Sequence, residues 1–277
     1  MTTEATNPAP ASFEDAIKRL EAMHAEAVTD RADFAAWFQA ELVTSRQCPK
    51  HGEETERDFE ASYRLSKQHG DRRLAFKPCP TCQLERTNAL ASEWLAKAGV
   101  PKLYVLESFD TYQPETDKER VNLGACRAYA QEAKGFLLMQ GDTGTGKTHL
   151  CVSILRAFKG GRYRTHETML AGLRATYGDR GAAASFEKMK NSSLLVWDEF
   201  GVSVGGGDEP MMIHSILNHR YENRLPTVIA TNLQIPALKA AIGERIESRM
   251  RQALAHKLTF DGRDRRNDMK AKYLIGD

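Results

Sequence analysis

The stretch Gly141-Asp142-Thr143-Gly144-Thr145-Gly146-Lys147-Thr148 constrains this chain more than any other. It fits the pattern G-x-x-x-x-G-K-[ST], with the apolar run Phe136-Leu137-Leu138-Met139 before it and a helix-compatible stretch from Lys147 after it. A glycine-rich turn between a strand and a helix gathers successive backbone N–H groups into one concavity and adds the positive end of the helix dipole. Phosphate oxygens fit such a concavity. The motif therefore predicts a nucleotide site. Gly141, Thr143, Gly144, Thr145 and Gly146 form the cradle, with His149 directly after the motif counted among the binding residues. Lys147 would neutralise β- and γ-phosphate charge, and the Thr148 hydroxyl would ligate Mg²⁺.

Downstream, Leu194-Leu195-Val196-Trp197-Asp198-Glu199 reads as a buried strand with two carboxylates at its C-terminal end. In a parallel α/β sheet that end faces the ligand. Asp198 is placed to hold Mg²⁺ through water, and Glu199 to polarise the water that attacks the γ-phosphate. An acidic base beside the magnesium ligand argues for hydrolysis over transfer to a small substrate. A further strand, Thr227-Val228-Ile229-Ala230, ends in Thr231-Asn232, and a polar tip on a neighbouring strand makes Asn232 a candidate sensor of the γ-phosphate. Between these motifs the pattern predicts helices over about 121–133, 167–177 and 210–223, a short strand at Arg162–Thr165, a turn-rich stretch at Asp179–Ala184 and a flexible loop at Gly205-Gly206-Gly207.

At 277 residues the chain suits a nucleotide-binding domain plus an appendage, and 41% hydrophobic with 27% charged residues is a globular composition. The formal charge of +2 implies no general affinity for nucleic acid, but its distribution is uneven. Residues 1–41 hold eight Asp/Glu against three Lys/Arg, suggesting an acidic arm for a protein partner. Residues 244–277 hold nine Lys/Arg against six Asp/Glu, suggesting a basic region near phosphates. No run approaches the ~18 apolar residues of a membrane span, and the first residues lack the pattern of a signal peptide, so a cytoplasmic location and no membrane partner are expected.

Residues 2–11 are Thr/Ala/Pro-rich and read as disordered. Ser12 with Asp15 resembles a capping box for a helix over about 13–28, and Asp30 could cap a second helix carrying Phe34, Trp37, Phe38 and Leu42. These aromatic helices either pack on each other or lend an apolar face to a partner, the second being the expectation. Next come Cys48-Pro49-Lys50-His51 and, after 27 intervening residues, Cys79-Pro80-Thr81-Cys82. Two such knuckles close a tetrahedral zinc site from Cys48, His51, Cys79 and Cys82, with His69 as the competing fourth ligand. Four protein ligands leave no position for water, so the metal would be structural. Phe59, Ala61, Tyr63 and Leu65, a turn at Gly70-Asp71, then Leu74 and Phe76 alternate as a hairpin would, which predicts a zinc ribbon. Cys126 and Cys151 read as core residues. A helix over Gln83–Ala98 ending at Gly99 sets the boundaries at 1–47 for a helical arm, 48–98 for the zinc module with its connecting helix, and 99–277 for the nucleotide domain.

The order of motifs resembles the AAA+ ATPases of the initiator and helicase-loader group, and most closely the DnaC-like bacterial and phage helicase loaders. The resemblance spans about residues 100–277, through Gly141–Thr148, Leu194–Gly201, Pro226–Leu233 and Glu244–Arg251. The early knuckle looks like the zinc module of phage loaders in that family. It implies an AAA+ P-loop fold with a parallel sheet, behind a small helical and zinc-ribbon N-terminal region. It also implies subunits assembled in an open spiral or ring, in which one subunit's arginine reaches its neighbour's γ-phosphate. The family's arginine finger falls on Arg249, with Arg245 one turn earlier, and its sensor-2 arginine falls near Arg266, with Arg263 and Arg265 as other choices. Single-stranded DNA contacts would fall near 167–188. The function so implied is Mg-ATP-dependent loading of a DnaB-type replicative helicase onto single-stranded DNA, with ATP, Mg²⁺ and Zn²⁺ as cofactors. The alternatives are an IstB-like transposition helper ATPase and a non-hydrolysing, ATP-switched adaptor.

Overall fold

The structure is a computed structural model and describes residues 31–177, 179–201 and 209–266. The expected helix over 13–28 and the Gly205-Gly206-Gly207 loop lie outside the described residues. The chain divides into two compact units between Asn88 and Ala89.

In the first unit, helix α1 (Arg31–Ala40) is followed by the antiparallel pair β1 (Ser45–Gln47) and β2 (Glu54–Glu56), in register Ser45 to Glu56. The first knuckle forms the tip of this short hairpin. The segment expected to be a second hairpin is instead helix α2 (Phe59–His69), and this corrects the ribbon reading. Asp58 caps it by accepting from Ala61 N at 3.0 Å. The alternation of apolar residues misled because Phe59 and Tyr63 also share a helix face, four residues apart. The buried Ser62 and Ser66 lie on the helix one turn apart and fix the chain beyond it: their hydroxyls accept from Ala75 N and Arg73 N, each at 2.7 Å. The aromatic face of α1 is spent inside this unit rather than offered to a partner. Phe34 and Trp37 are buried, and the Phe34 ring lies 5.6 Å from Phe59 and 5.3 Å from Tyr63. Leu42, expected on that helix, lies beyond its end and is 82% exposed. Helix α3 (Pro80–Ala98) begins in the second knuckle.

The second unit is a five-stranded, wholly parallel sheet in the order β4-β5-β6-β3-β7, built from β3 (Phe136–Gly141), β4 (Arg162–Thr165), β5 (Leu195–Asp198), β6 (Thr227–Thr231) and β7 (Leu254–Phe260). Strand alternation sends Leu137, Met139, Val196 and Val228 to one face and Phe136, Leu138, Trp197 and Ile229 to the other. On the first face pack α4 (Asp117–Glu132) and α5 (Lys147–Phe158). On the second pack α6 (His166–Arg174), α7 (Arg180–Lys190), α8 (Glu209–Glu222) and α9 (Ile235–Gln252). Residues 179–184, expected to be turn-rich, mostly belong to α7: the Asp179 carboxylate accepts from Gly181 N at 2.7 Å and Ala182 N at 3.2 Å, and Phe186 and Met189 are buried. Strand β7 was not legible in the sequence. It is an edge strand with only Leu258 and Phe260 buried, so its alternation is weak. Helix α9 is broken at Gly243, whose φ of 76° and ψ of 157° are not helical.

One buried cation joins the sheet to its second layer. Arg220 on α8 is wholly buried and donates to Thr227 Oγ1 at 2.8 Å, Lys190 O at 2.6 Å, Pro226 O at 2.7 Å and Ser192 O at 3.2 Å. It gathers the entrances of β5 and β6 and the end of α7. Burial lowers its pKa to about 10, so the guanidinium keeps its charge at neutral pH. Replacing it would strand several buried acceptors at about 1–3 kcal/mol each. Arg220→Met should therefore lower unfolding free energy by about 3 kcal/mol or more, read as a fall in the urea midpoint at unchanged m-value.

Candidate nucleotide site and metal centre

Gly141–Thr148 leaves the C-terminal end of β3 and enters α5, so its glycine turn and the first helical N–H groups line a cleft of about 270 Å³ at the sheet's C-terminal edge. Gly144 has φ of 80°, and a Cβ there would fall 2.0 Å from Asp264 Oδ1. Its carbonyl accepts from Arg265 N at 2.9 Å. The segment after β7 thus packs directly on the phosphate-binding loop, and glycine is needed both for the backbone angle and for that approach. Thr145 is buried and closes the loop on Asp142 O at 2.8 Å. Lys147 Nζ donates to Gly141 O at 2.8 Å and Asp142 O at 2.5 Å, and burial lowers its pKa while Asp198 opposes that shift.

Asp198 lies where three elements meet. Its Oδ2 accepts from Thr148 Oγ1 on α5 and from the Tyr163 hydroxyl on β4, both at 2.7 Å, and its Oδ1 accepts from Glu199 N at 2.8 Å. Burial and the adjacent Asp198 charge push the Tyr163 phenol far up, so it stays a donor. Glu199 has φ of 51°, an uncommon left-handed conformation for a non-glycine residue, and its exposed side chain lines the cleft. Asn232 lines the same cleft. The loop carrying it is held by Gln140 Nε2 donating to Leu233 O at 2.8 Å and by Thr231 Oγ1 donating to Phe200 O at 2.7 Å. Thr143, Gly146 and His149 complete that wall. His149 Nδ1 lies 3.0 Å from Glu107 and its Nε2 lies 2.9 Å from Ser108 O, two acceptors on one ring.

The sequence did not point to Tyr163, Gln140 or Tyr112. Tyr163 sits in a four-residue strand of ordinary composition, and its role depends on the pairing of β4 with β5, which sets Thr165 beside Asp198. Tyr112 packs edge-on to His149 at 5.2 Å and lies under the Arg265 guanidinium at 5.0 Å. Of the three candidate arginines beyond β7, Arg263 forks onto Glu115 at 2.6 and 3.0 Å, and Arg265 pairs with Glu119 at 2.7 Å. Arg265 and Arg266 both line the cleft, whereas Arg263 does not. Arg249 does not line it. It lies near the end of α9, which leads into the first residue of β7, so the length of β3, six residues or about 20 Å, separates its end of the sheet from the phosphate-binding loop. Arg245 is exposed on the same half of α9.

In the first unit, one donor atom each from Cys48, His51, Cys79 and Cys82 lies within 4.8 Å of the others. A tetrahedral zinc ion with Zn–S of ~2.3 Å and Zn–N of ~2.0–2.1 Å spaces two sulfurs about 3.8 Å apart and sulfur from nitrogen about 3.6 Å apart. Cys48 Sγ and Cys82 Sγ are 3.7 Å apart, and His51 Nδ1 lies 3.3, 3.4 and 3.9 Å from the sulfurs of Cys79, Cys82 and Cys48. The donor set fits that ion. His51 Nε2 faces Glu85 Oε1 at 3.4 Å, an outer carboxylate that leaves Nδ1 for the metal. Backbone N–H donors of Lys50 and His51 hold the Cys48 thiol down at about 6, whereas burial pushes Cys79 up to about 12. His69, the competing ligand, is exposed in the last turn of α2 and outside the cluster. Cys126 and Cys151 are buried core residues of α4 and α5.

Metal analysis of the purified chain should give one zinc per chain, lost in Cys79→Ser. Because binding requires deprotonated ligands, the metal should be retained at neutral pH and released to a chromogenic chelator as pH falls below about 5. Tyr163→Phe removes one donor from Asp198 and should weaken Mg-nucleotide affinity several-fold by fluorescence titration, while leaving the fold intact by circular dichroism.

No helix among the described residues is long and apolar enough to cross a membrane. The chain is 28% identical over 177 residues to the replicative helicase loader DnaC of Buchnera aphidicola subsp. Acyrthosiphon pisum, covering 60% of this chain and 72% of that protein. It is also 28% identical over 164 residues to the replicative helicase loader DnaC of Escherichia coli K12, covering 56% and 67%. Among solved structures it resembles the DnaC helicase loader with a TM-score of 0.52 at 24% identity, over 58% of this chain and 99% of that one. DnaI matches with a TM-score of 0.52 at 18% identity, over 58% and 94%. These two likenesses carry the fold, an AAA+ P-loop domain. The model of the IstB-like ATP binding proteins matches residues 81–263, which spans the whole parallel sheet and the cleft residues from Tyr104 to Asn232, and the chain belongs to that family.

Proposed function

We propose that this chain is an ATP-dependent helicase loader: it hydrolyses Mg-ATP between adjacent copies of itself and delivers a DnaB-type replicative helicase to single-stranded DNA. The observation that carries the reading is the gathering of Lys147, Thr148, Asp198, Glu199 and Asn232 on one cleft, while Arg249 stands at the other end of the sheet. In this scheme Lys147 neutralises the β- and γ-phosphates, and Thr148 with Asp198 holds Mg²⁺, the latter through water. The ion supplies charge neutralisation of the phosphates. Glu199 takes a proton from the water that bonds to the γ-phosphorus as the bond to the β-γ bridging oxygen breaks, giving ADP and phosphate. Asn232 orients that water, Arg266 contacts the phosphates from the same chain, and Arg249 from the neighbour. Functionally the chain would divide into an arm at 1–47, a zinc module at 48–98 and the ATPase domain at 99–277, the first two gripping the helicase.

Single-stranded DNA would run along α6 and α7, which stand between β4 and β5. Arg180 and Lys188, both exposed on α7, supply positive charge, and Tyr177, 66% exposed between the two helices, offers a stacking face. The named relatives favour the loader over a transposition helper, which would share this cleft but act with a transposase on duplex DNA. The metal cluster also lies mostly ahead of the residues matched by the family model.

Glu199→Gln should bind ATP as the wild type does and turn it over at least 100-fold more slowly; no turnover by wild type with or without single-stranded DNA would leave only an ATP-switched adaptor. Tagged full-length chain should retain the cognate replicative helicase in a pull-down read by mass spectrometry, and recovery of a transposase instead would overturn the loader reading. Tyr177→Ala should weaken binding of oligo-dT roughly 5- to 150-fold, in line with about 1–3 kcal/mol per stacked base.

A further inference from the structure

Helix α9 ends in a run of three arginines, Arg245, Arg249 and Arg251, and the structure treats them differently. Arg245 is exposed, and Arg251 is 67% exposed and pairs with Glu247 one turn back on its own helix. Only Arg249 packs on another element. Its side chain is 22% exposed, its Nη1 donates to Glu222 Oε1 at 3.2 Å, and its guanidinium lies 5.3 Å from the centroid of the Tyr221 ring. That ring is itself braced, because the Tyr221 hydroxyl donates to Gln252 Oε1 at 2.6 Å. Two adjacent residues at the end of α8 thus hold one long cationic side chain by a charge pair and a cation–π contact.

We propose that Glu222 and Tyr221 are positioning residues that present Arg249 to the nucleotide of an adjacent copy of this chain. The inference rests on the reading of Arg249 as the residue supplied in trans. A flexible arginine must lose its rotamer freedom when it engages a neighbour's phosphate, and a side chain already seated loses less. Glu222 is suited to hold the guanidinium without sequestering it. Its side chain is 54% exposed and contacts Arg249 through one oxygen, leaving guanidinium N–H groups for phosphate oxygens. An exposed pair of this kind adds little to stability, so loss of the dock should be felt in turnover and not in folding.

The test is steady-state ATP turnover by the full chain, at a protein concentration where turnover per subunit has reached its plateau, with fluorescent-nucleotide affinity and thermal midpoint measured alongside. Arg249→Ala sets the scale of losing the trans residue. Glu222→Gln should lower kcat 5- to 20-fold with KM, nucleotide affinity and midpoint unchanged, Tyr221→Ala should do the same, and Tyr221→Phe should keep most of the rate. In an Arg249→Ala background, Glu222→Gln should cost nothing further. Mixing Glu222→Gln with Lys147→Ala, whose cleft is disabled and whose Arg249 dock is intact, should raise turnover per Glu222→Gln subunit. If Arg249→Ala slows turnover but Glu222→Gln does not, or if the two losses multiply, the dock is wrong and the trans reading of Arg249 stands. If Arg249→Ala leaves turnover intact, the trans reading fails and this inference falls with it.

Discussion

The hydrogen bonds converging on Asp198 set the requirements that the rest of the nucleotide unit meets. A carboxylate only 2% exposed is costly unless its lone pairs are filled, and here a hydroxyl from α5, a hydroxyl from β4 and the next backbone N–H fill them. Those donors arrive only if β4 pairs with β5 in the observed register and α5 starts where the glycine loop ends. A second polar focus occupies the opposite end of the sheet, where Arg220 collects the acceptors at the entrances of β5 and β6. A buried anion at the exit of β5 and a buried cation by its entrance leave little freedom for that strand to slip. One residue of slip would also turn Trp197 and Val196 onto each other's faces of the sheet.

The first unit solves a different problem. Its described part, 31–88, is short for a chain that must bury its own core, and it relies on one aromatic cluster and one four-ligand site. The cluster uses Phe34, Trp37, Phe38, Phe59 and Tyr63 to join α1 to α2. The ligands join the β1–β2 tip to the first turn of α3. Metal binding in such a unit is folding free energy as much as a cofactor site.

What could be read from sequence were features whose chemistry is local. Gly141–Thr148, Asp198-Glu199 and the two knuckles each carry their geometry in consecutive residues, and the cluster of Cys48, His51, Cys79 and Cys82 needed only two such turns to meet. What could not be read depends on tertiary context. Tyr163 matters because β4 lies beside β5, Gln140 because the loop after β6 passes over it, and β7 because its backbone pairs with β3 although its side chains face mostly outward. The reading of 59–76 failed for a related reason. An apolar period of two over a few residues also contains a period of four, and the buried serines that distinguish helix from hairpin here are silent in a hydrophobic pattern.

The break at Gly243 bears on how α9 can be used. A continuous helix advances about 100° per residue, so the azimuth of every residue is fixed by that of the first. At Gly243 this phase is lost and begins again at Glu244. The half that leaves the Asn232 loop and buries Leu238 and Ile242 therefore does not dictate which way the half with Ile246 and Met250 faces. The compass bearing of Arg249 is set locally, by a single pair of dihedral angles that glycine tolerates and other residues resist. If the first half changed length, the Gly243 angles could readjust to keep the second half facing the same way, an adjustment that a seamless helix has no joint to make.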